Sequence, residues 1–178
     1  MAKGERETTM TEHHRMFAAY NAWANRILYV AAGELSPEEL DADRGAFFGS
    51  LFATLTHLLV TDRIWLRRMT GEGPLHTALD EKPFATFAEL SAARTAEDER
   101  ILRWVDTLTE DRLANTFTYS PITKPGEITH RLGPALAHLF NHQTHHRGQC
   151  HAILTSLGKP SLSLDLIYFL RSEGKQWL

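Results

Sequence analysis

The chain has 178 residues, enough for one domain with a full hydrophobic core, and its apolar and charged fractions of 43% and 23% are ordinary for a soluble globular protein. A net charge of −3 without a basic run gives no support for nucleic-acid binding, and no stretch reaches transmembrane length, so neither nucleic acid nor membrane is an expected partner. The single cysteine excludes an intrachain disulfide and suits the reducing cytoplasm, where we expect the protein.

The N-terminal residues are predicted to form a disordered lead-in over 1–10, because they are polar and lack an apolar signal core. A single domain is then expected over 11–178. The first long helix is predicted over 11–32, where apolar residues recur at every third or fourth position and Gly33 is a typical stop.

A short helix is predicted after Ser36, because a capping serine is followed by Pro37 at the first helical position and by a glutamate at the third. The connection that follows, 41–49, contains two adjacent aromatic residues. We expect both Phe47 and Phe48 to turn toward the core.

The second long helix is predicted over 50–69 from a seam that steps by four and three residues, as in helix bundles. The seam consists of Leu51, Leu55, Leu58, Asp62, Trp65 and Met69. Asp62 stands where an apolar residue is expected, and a buried unpaired carboxylate is costly. One interpretation is structural: Asp62 forms a buried ion pair or bonds to a backbone group. The other places it beside a functional site, where it bonds to an imidazole or a bound water or pairs with Arg147. His57 lies beside the seam, and spacing alone does not make it a ligand.

The middle of the chain is predicted to contain a loop, a third long helix and a hairpin. The breaker 71–74 starts a loop, and a capping box at Thr86 starts a helix that reaches about residue 107. The charged face of this helix, residues 97–100, is interpreted as solvated surface. The remaining elements are one helical turn at 109–113, strands at 116–119 and 128–129 around a Pro-Gly turn, and a terminal helix at 165–171.

The fourth long helix, predicted over 133–157, contains five of the ten histidines. On a wheel of about 100° per residue, His146 lies roughly 20–30° and His142 roughly 70° from the centre of the apolar stripe. The other three lie about 110° or more away and are predicted to lean toward solvent. These three are His138, His145 and His151.

His142 and His146 therefore face the core side together, and imidazoles at i and i+4 can reach one metal ion. The same pattern also fits two partly buried histidines that are hydrogen-bonded to their neighbours. The metal interpretation is favoured because the pair lies at the edge of a core and Gly148 leaves the next turn open. It requires a third ligand elsewhere. Cys150 faces the apolar stripe and is interpreted as a small core residue.

The four long helices predict an all-α, antiparallel four-helix bundle, with a small hairpin before the last long helix and a short C-terminal helix. Four segments of the chain resemble the DinB-like superfamily, the damage-inducible and YfiT-related metal-binding bundle proteins. The segments are 20–25 (YNAWAN), 49–51 (GSL), 54–65 (TLTHLLVTDRIW) and 141–149 (NHQTHHRGQ). The resemblance covers almost the whole chain and implies an up-down-down-up topology, often as a homodimer.

The resemblance also implies the third ligand. In the superfamily a histidine of the second helix joins an HxxxH pair of the later helix, and the matching residues here are His57, His142 and His146. Three neutral imidazoles suit one divalent metal ion, most readily Zn²⁺ or Ni²⁺. Three protein ligands leave an open position, as in catalytic sites. A water bound there would have its pKa lowered to about 7, and a bound thiol would be deprotonated.

Members of the superfamily are known or suspected to transfer low-molecular-weight thiols, such as bacillithiol, mycothiol or glutathione, onto or off electrophilic substrates. The resemblance therefore implies a metal-dependent enzyme, a thiol S-transferase or a hydrolase, that acts on a small-molecule substrate in stress response or detoxification. The alternative is a non-catalytic metal-binding stress protein with a structural ion. A closed site with a fourth protein ligand, such as Asp62, would favour that alternative.

Overall fold

A computed structural model describes residues 9–178. The helices are α1 (Met10–Ala32), α2 (Pro37–Asp41), α3 (Leu51–Thr70), α4 (Phe87–Asp106), α5 (Glu110–Ala114), α6 (Leu132–Ser156) and α7 (Leu166–Arg171); the antiparallel strands β1 (Thr116–Tyr119) and β2 (Ile128–Arg131) precede α6, and a 3-10 turn spans Lys175–Trp177. Each predicted element is present, and its ends differ from the prediction by two residues at most. Within this part of the chain, no helix is long and apolar enough to cross a membrane.

The first three long helices begin at capping residues, and the caps predicted at Ser36 and Thr86 are present. Thr9, Ser36 and Thr86 each form a capping box with a glutamate three residues on. α3 begins after Ser50, whose hydroxyl accepts from the Ala53 amide, and it ends at Gly71, whose φ of +81° lies in the left-handed region that favours glycine. Residues 1–8 of the lead-in predicted over 1–10 lie outside the described residues. The other two belong to the start of α1, with Thr9 as its cap and Met10 as its first residue.

The four long helices form an up-down-down-up bundle, as predicted. α1 and α3 each pack against both α4 and α6. One apolar cluster joins the end of α1, the starts of α3 and α4 and the end of α6, through residues that include Leu28, Leu55, Leu90 and Leu154. The second joins the opposite ends, through Ala18, Leu66, Ile101 and Leu136. α3 and α4 therefore run against α1 and α6, and each fully buried leucine stabilises the bundle by about 1.5–3 kcal/mol.

Polar residues from all four long helices are buried inside the bundle. They are Asn21, Asn25, Asp62, Arg94, Asp98, Gln143 and Arg147. Asp98 accepts from the Asn25 amide at 3.0 Å and pairs with Arg94 at 2.9 Å, while Glu97 pairs with Arg100 at 2.8 Å. The interpretation of residues 97–100 as solvated surface is therefore wrong for Glu97 and Asp98, because α4 turns this part of its charged face toward α1 and α3.

Asp62 pairs with Arg94, whose Nη1 lies 2.6 Å from Oδ2. Arg147 instead donates to Asn21 and Asn25 of α1 and lies over the Tyr20 ring. Of the alternatives considered for Asp62, the structure contains the structural ion pair, and the pairing with Arg147 is absent. A helical wheel of α3 does not show which cation of another helix reaches its buried carboxylate.

Candidate metal centre

His57 of α3 and the pair His142 and His146 of α6 come together at one place on the bundle. One ligand atom of each ring lies within 4.8 Å of the other two, and the ring centroids are 4.4–5.3 Å apart. α3 and α6 pack antiparallel here, and Gln143 Nε2 donates to the Leu58 carbonyl at 3.2 Å beside the three rings. The structure thus brings together the three histidines that the HxxxH spacing and the resemblance select.

Two of the three rings are oriented by carbonyl oxygens. His57 Nδ1 donates to the Leu79 carbonyl at 2.9 Å, and His146 Nδ1 donates to Gln149 Oε1 at 2.7 Å. A carbonyl oxygen only accepts, so Nδ1 carries the proton in both rings and Nε2 keeps its lone pair. Such hydrogen bonds fix the tautomer and raise the basicity of a metal-ligating histidine.

Burial favours the neutral form of all three imidazoles. It lowers the pKa of His57 and of His146, against the opposing effect of the hydrogen bonds to Leu79 and Gln149. Burial, followed by the proximity of His146 and His57, lowers the pKa of His142 to about 3. Neutral imidazole is the form that binds a metal ion, so no proton has to be displaced from the three rings when a cation binds.

An aromatic ring covers one side of the cluster. Phe48 stacks on His57 with a centroid distance of 3.9 Å and lies 5.7 Å from the His146 ring. Its inward orientation agrees with the prediction. Phe47 is 84% exposed, so the inward orientation predicted for it is wrong. In the bend between Ala46 and Gly49, the Phe47 ring contacts the Phe48 ring edge-on at a centroid distance of 4.9 Å and is otherwise open to solvent.

The neighbouring histidines and the acidic residue remain outside the cluster. His138 and His145 are exposed, and His151 is half-buried and bonded to Ser161. Asp62 is not in the cluster; within residues 9–178 it pairs with Arg94 and with no imidazole. Cys150 is fully buried, which raises its pKa to about 12, as expected of a core residue.

The three residues fit the divalent ion that the resemblance implies. They provide three neutral nitrogen donors, two of them already oriented, and no fourth His, Cys, Asp or Glu of the described chain joins the group. Imidazole donors suit Zn²⁺ and Ni²⁺, and a three-ligand site retains a position for a further group.

Three residues at the site were not predicted from the sequence as parts of it: Phe48, Leu79 and Gln149. Gln149 had a usable signal, because it follows His146 by three residues and so lies on the same helical face. Leu79 lies in a loop and acts through its backbone carbonyl, so its side-chain identity carried no signal.

The sequence is similar to those of known proteins. The sequence model of the DinB family matches residues 10–177. The protein named "Protein DinB" from Bacillus subtilis (strain 168) is 25% identical over 158 residues, which cover 85% of this chain and 90% of that protein.

Proposed function

The chain belongs to the DinB family, and from that premise we propose that it is a metal-dependent enzyme that transfers a low-molecular-weight thiol to or from an electrophilic small molecule. His57, His142 and His146 hold one divalent ion, Zn²⁺ or Ni²⁺. The observation that carries this proposal is the convergence of the three imidazoles with Nδ1 of two of them already bonded to carbonyl oxygens.

Each residue at the centre has a distinct role in this function. The carbonyls of Leu79 and Gln149 hold the rings of His57 and His146 so that Nε2 is available. Phe48 excludes water from one side of His57. When bound, the ion supplies Lewis acidity that deprotonates a thiol or lowers the pKa of a water. Hydrolysis is therefore the second reaction that the same residues support.

A structural ion is the alternative, and its supporting observation is that the ligands come from two helices. An ion bound by His57 and His146 would link α3 to α6 and stabilise the bundle without any turnover. The protein is further proposed to act as a homodimer in the cytoplasm, in stress response or detoxification.

The test uses purified protein of known metal content. Bacillithiol, mycothiol and glutathione are each supplied with a chlorodinitrobenzene electrophile, and thioether formation is measured for the wild type, His146→Ala and the matched control His145→Ala. The proposal expects metal-dependent turnover with at least one thiol, its loss in His146→Ala and its retention in His145→Ala. Full metal occupancy without turnover of any thiol, or of a model ester, would favour the structural ion.

A further inference from the structure

The loop between α3 and α4, residues 71–86, supplies one of the groups that orient the metal centre. Its Leu79 carbonyl accepts from His57 Nδ1 at 2.9 Å, and Leu79 lies at a turn in the middle of this loop. A backbone carbonyl can hold an imidazole in one orientation only if the backbone around it keeps one conformation. The groups that shape this turn therefore affect how His57 is presented to an ion.

The loop has little backbone framework of its own. Within the described part of the chain, no backbone N–H of residues 72–85 donates to a backbone carbonyl with normal hydrogen-bond geometry. Side chains hold the start of the loop instead. Arg67 donates to the Gly73 carbonyl at 2.6 Å, and Arg100 donates to the Glu72 carbonyl at 2.7 Å. The middle of the loop depends on other groups.

A single carboxylate organises the middle of the loop. Glu81 Oε1 accepts from the amide and the hydroxyl of Thr77 and, at 3.0 Å, from the amide of Ala78. Glu81 Oε2 accepts from His76 Nδ1 at 2.6 Å. An ionised carboxylate has about four lone-pair sites, so one side chain can accept all of these bonds. They close the chain into a ring, and Leu79 lies at the turn of this ring.

The bonds to Glu81 are charge-assisted. The bond from His76, followed by that from the Thr77 amide, lowers the pKa of Glu81 to about 2, so the carboxylate is ionised at neutral pH. Hydrogen bonds to an ionised acceptor are roughly twice as strong as those between neutral groups. An uncharged side chain at this position can therefore reproduce the ring only in part.

We infer that Glu81 is a positioning residue of the metal centre: it closes the ring that aims the Leu79 carbonyl at His57 Nδ1, and so keeps His57 Nε2 available to the ion. The inference rests on the proposed function, because it takes His57 as a ligand of that ion. In the described chain the hydrogen bonds of Glu81 go to residues 76–78 and to none of the three histidines. Glu81 therefore acts through the backbone of the loop.

The experiment measures two quantities for the wild type, Glu81→Ala and Glu81→Gln. Nitrogen-15 NMR of the imidazoles in the metal-free protein shows which ring nitrogen of His57 carries the proton, and a His57→Gln sample identifies the His57 signals. Competition with a chelating dye gives the affinity for Zn²⁺. Thermal melts verify that the variants are folded.

Two controls separate positioning from a general loss of stability. Glu110→Ala removes a carboxylate that also accepts from a backbone amide, that of Thr11 at 2.8 Å, but holds a different segment of the chain. The His146 ring is an internal control, because its Nδ1 bonds to Gln149 of its own helix and not to the loop.

The wild type is expected to have the His57 proton on Nδ1. Glu81→Ala should move a large part of it to Nε2 and weaken Zn²⁺ binding by about 10-fold or more, the range found for groups that orient metal ligands. Glu81→Gln should keep part of both properties, since its amide oxygen can still accept from the loop amides. Glu110→Ala, and the His146 signals in every variant, should match the wild type.

The inference is overturned if Glu81→Ala leaves the proton on Nδ1, if it leaves Zn²⁺ affinity unchanged, or if it alters the His146 signals as much as those of His57. The failure of the proposed function looks different. A wild type that binds no divalent ion rejects that function, while the NMR of the metal-free protein still decides whether Glu81 orients His57. Metal-dependent thiol transfer together with wild-type behaviour of Glu81→Ala leaves the proposed function standing and rejects the role of Glu81.

Discussion

Arg94 of α4 and Asp62 of α3 form an ion pair inside the bundle, with 2.6 Å between Nη1 and Oδ2 and each side chain at most 3% exposed. The same guanidinium lies 2.9 Å from Asp98, one helical turn further along α4. One cation therefore serves two buried carboxylates. Removing one member of a buried pair leaves an uncompensated charge. Replacing Arg94 leaves two such charges, so its loss should destabilise the fold more than the loss of either carboxylate.

Replacing Arg94 is expected to be the most damaging of the single changes in this network. Arg94→Met leaves Asp62 and Asp98 without their cation and should lower the free energy of unfolding at pH 7 by about 3–5 kcal/mol. Burial raises the pKa of Asp98 to about 6. The raised pKa means that the folded protein binds this proton more readily than the unfolded chain, so the deficit should shrink as the pH falls below 6. Urea unfolding at pH 7 and pH 5 measures both effects; an equal deficit at both values would contradict the explanation.

Asp62→Leu should cost less than Arg94→Met, because Arg94 retains Asp98 as a partner. Metal affinity should be unchanged, since Asp62 pairs with Arg94 and with no imidazole of the described chain. Urea unfolding and a competitive metal titration give the two quantities. A loss of about 10–100-fold in metal affinity would instead assign Asp62 to the support of the metal ligands.

The ligand set is tested one histidine at a time. Replacement of His57, His142 or His146 by alanine should remove most of the bound metal, because two imidazoles bind a divalent ion far more weakly than three. His138→Ala and His145→Ala are matched controls, since both rings are close to the cluster but exposed. Elemental analysis after dialysis gives the metal content, and a fully occupied His146→Ala protein is incompatible with the assignment.

Removal of the metal should lower the melting temperature and leave the helices formed. Binding to the folded state alone stabilises by mass action, by about 2.7 kcal/mol at a free-ion concentration of 100 Kd. The two apolar clusters do not involve the three histidines, so the bundle retains its core. Circular dichroism melts with and without a chelator measure the shift. Loss of the helical signal at 25 °C on chelation would mean that folding requires the ion.

His14 is expected to make the protein sensitive to acid independently of the metal. It is 1% exposed, and neither ring nitrogen has a partner among residues 9–178. Burial lowers its pKa, aided by His13 and opposed by Glu110. The pKa of His14 in the folded protein lies below the unfolded value of about 6.5. The contribution of neutral His14 to the free energy of unfolding is therefore present above pH 6.5 and is lost as the pH falls through the folded pKa.

His14→Leu should therefore flatten the stability profile of the metal-free protein between pH 7 and pH 5. It should also raise stability by about 1–3 kcal/mol, since it removes unsatisfied buried polar atoms. His130→Gln, which changes an exposed histidine of β2, is the control and should keep the wild-type slope. Parallel profiles for the wild type and His14→Leu would reject this role.

The helices and the HxxxH pair were predictable because both depend on periodicity within one segment. The wheel of α6 separates His142 and His146 from His138 and His145, and their exposures agree. His57 was selected by the resemblance and not by the wheel, since a ligand on another helix depends on how the two helices pack.

The packing of one helix against another also explains why Glu97 and Asp98 were wrongly predicted to be solvated. Whether Asp98 is solvated or buried is decided by α1, whose Asn25 donates to it. The spacing of charges along α4 contains no information about that neighbour. Phe47 was misplaced for a different reason: the bend that contains it has no period from which a side-chain direction can be read.

The buried polar network has a consequence for how the chain assembles. A cut in the loop at residues 71–83 would leave one fragment with the acid Asp62 and the other with Arg94, Asp98 and Arg147, so the two fragments carry complementary unbalanced charges at this layer. Neither fragment can bury its share alone without an uncompensated ion, and α1 and α3 each pack against α4 and α6 of the other fragment. The halves should therefore recognise each other and reconstitute the fold when mixed, because each by itself lacks the helices against which its own helices pack.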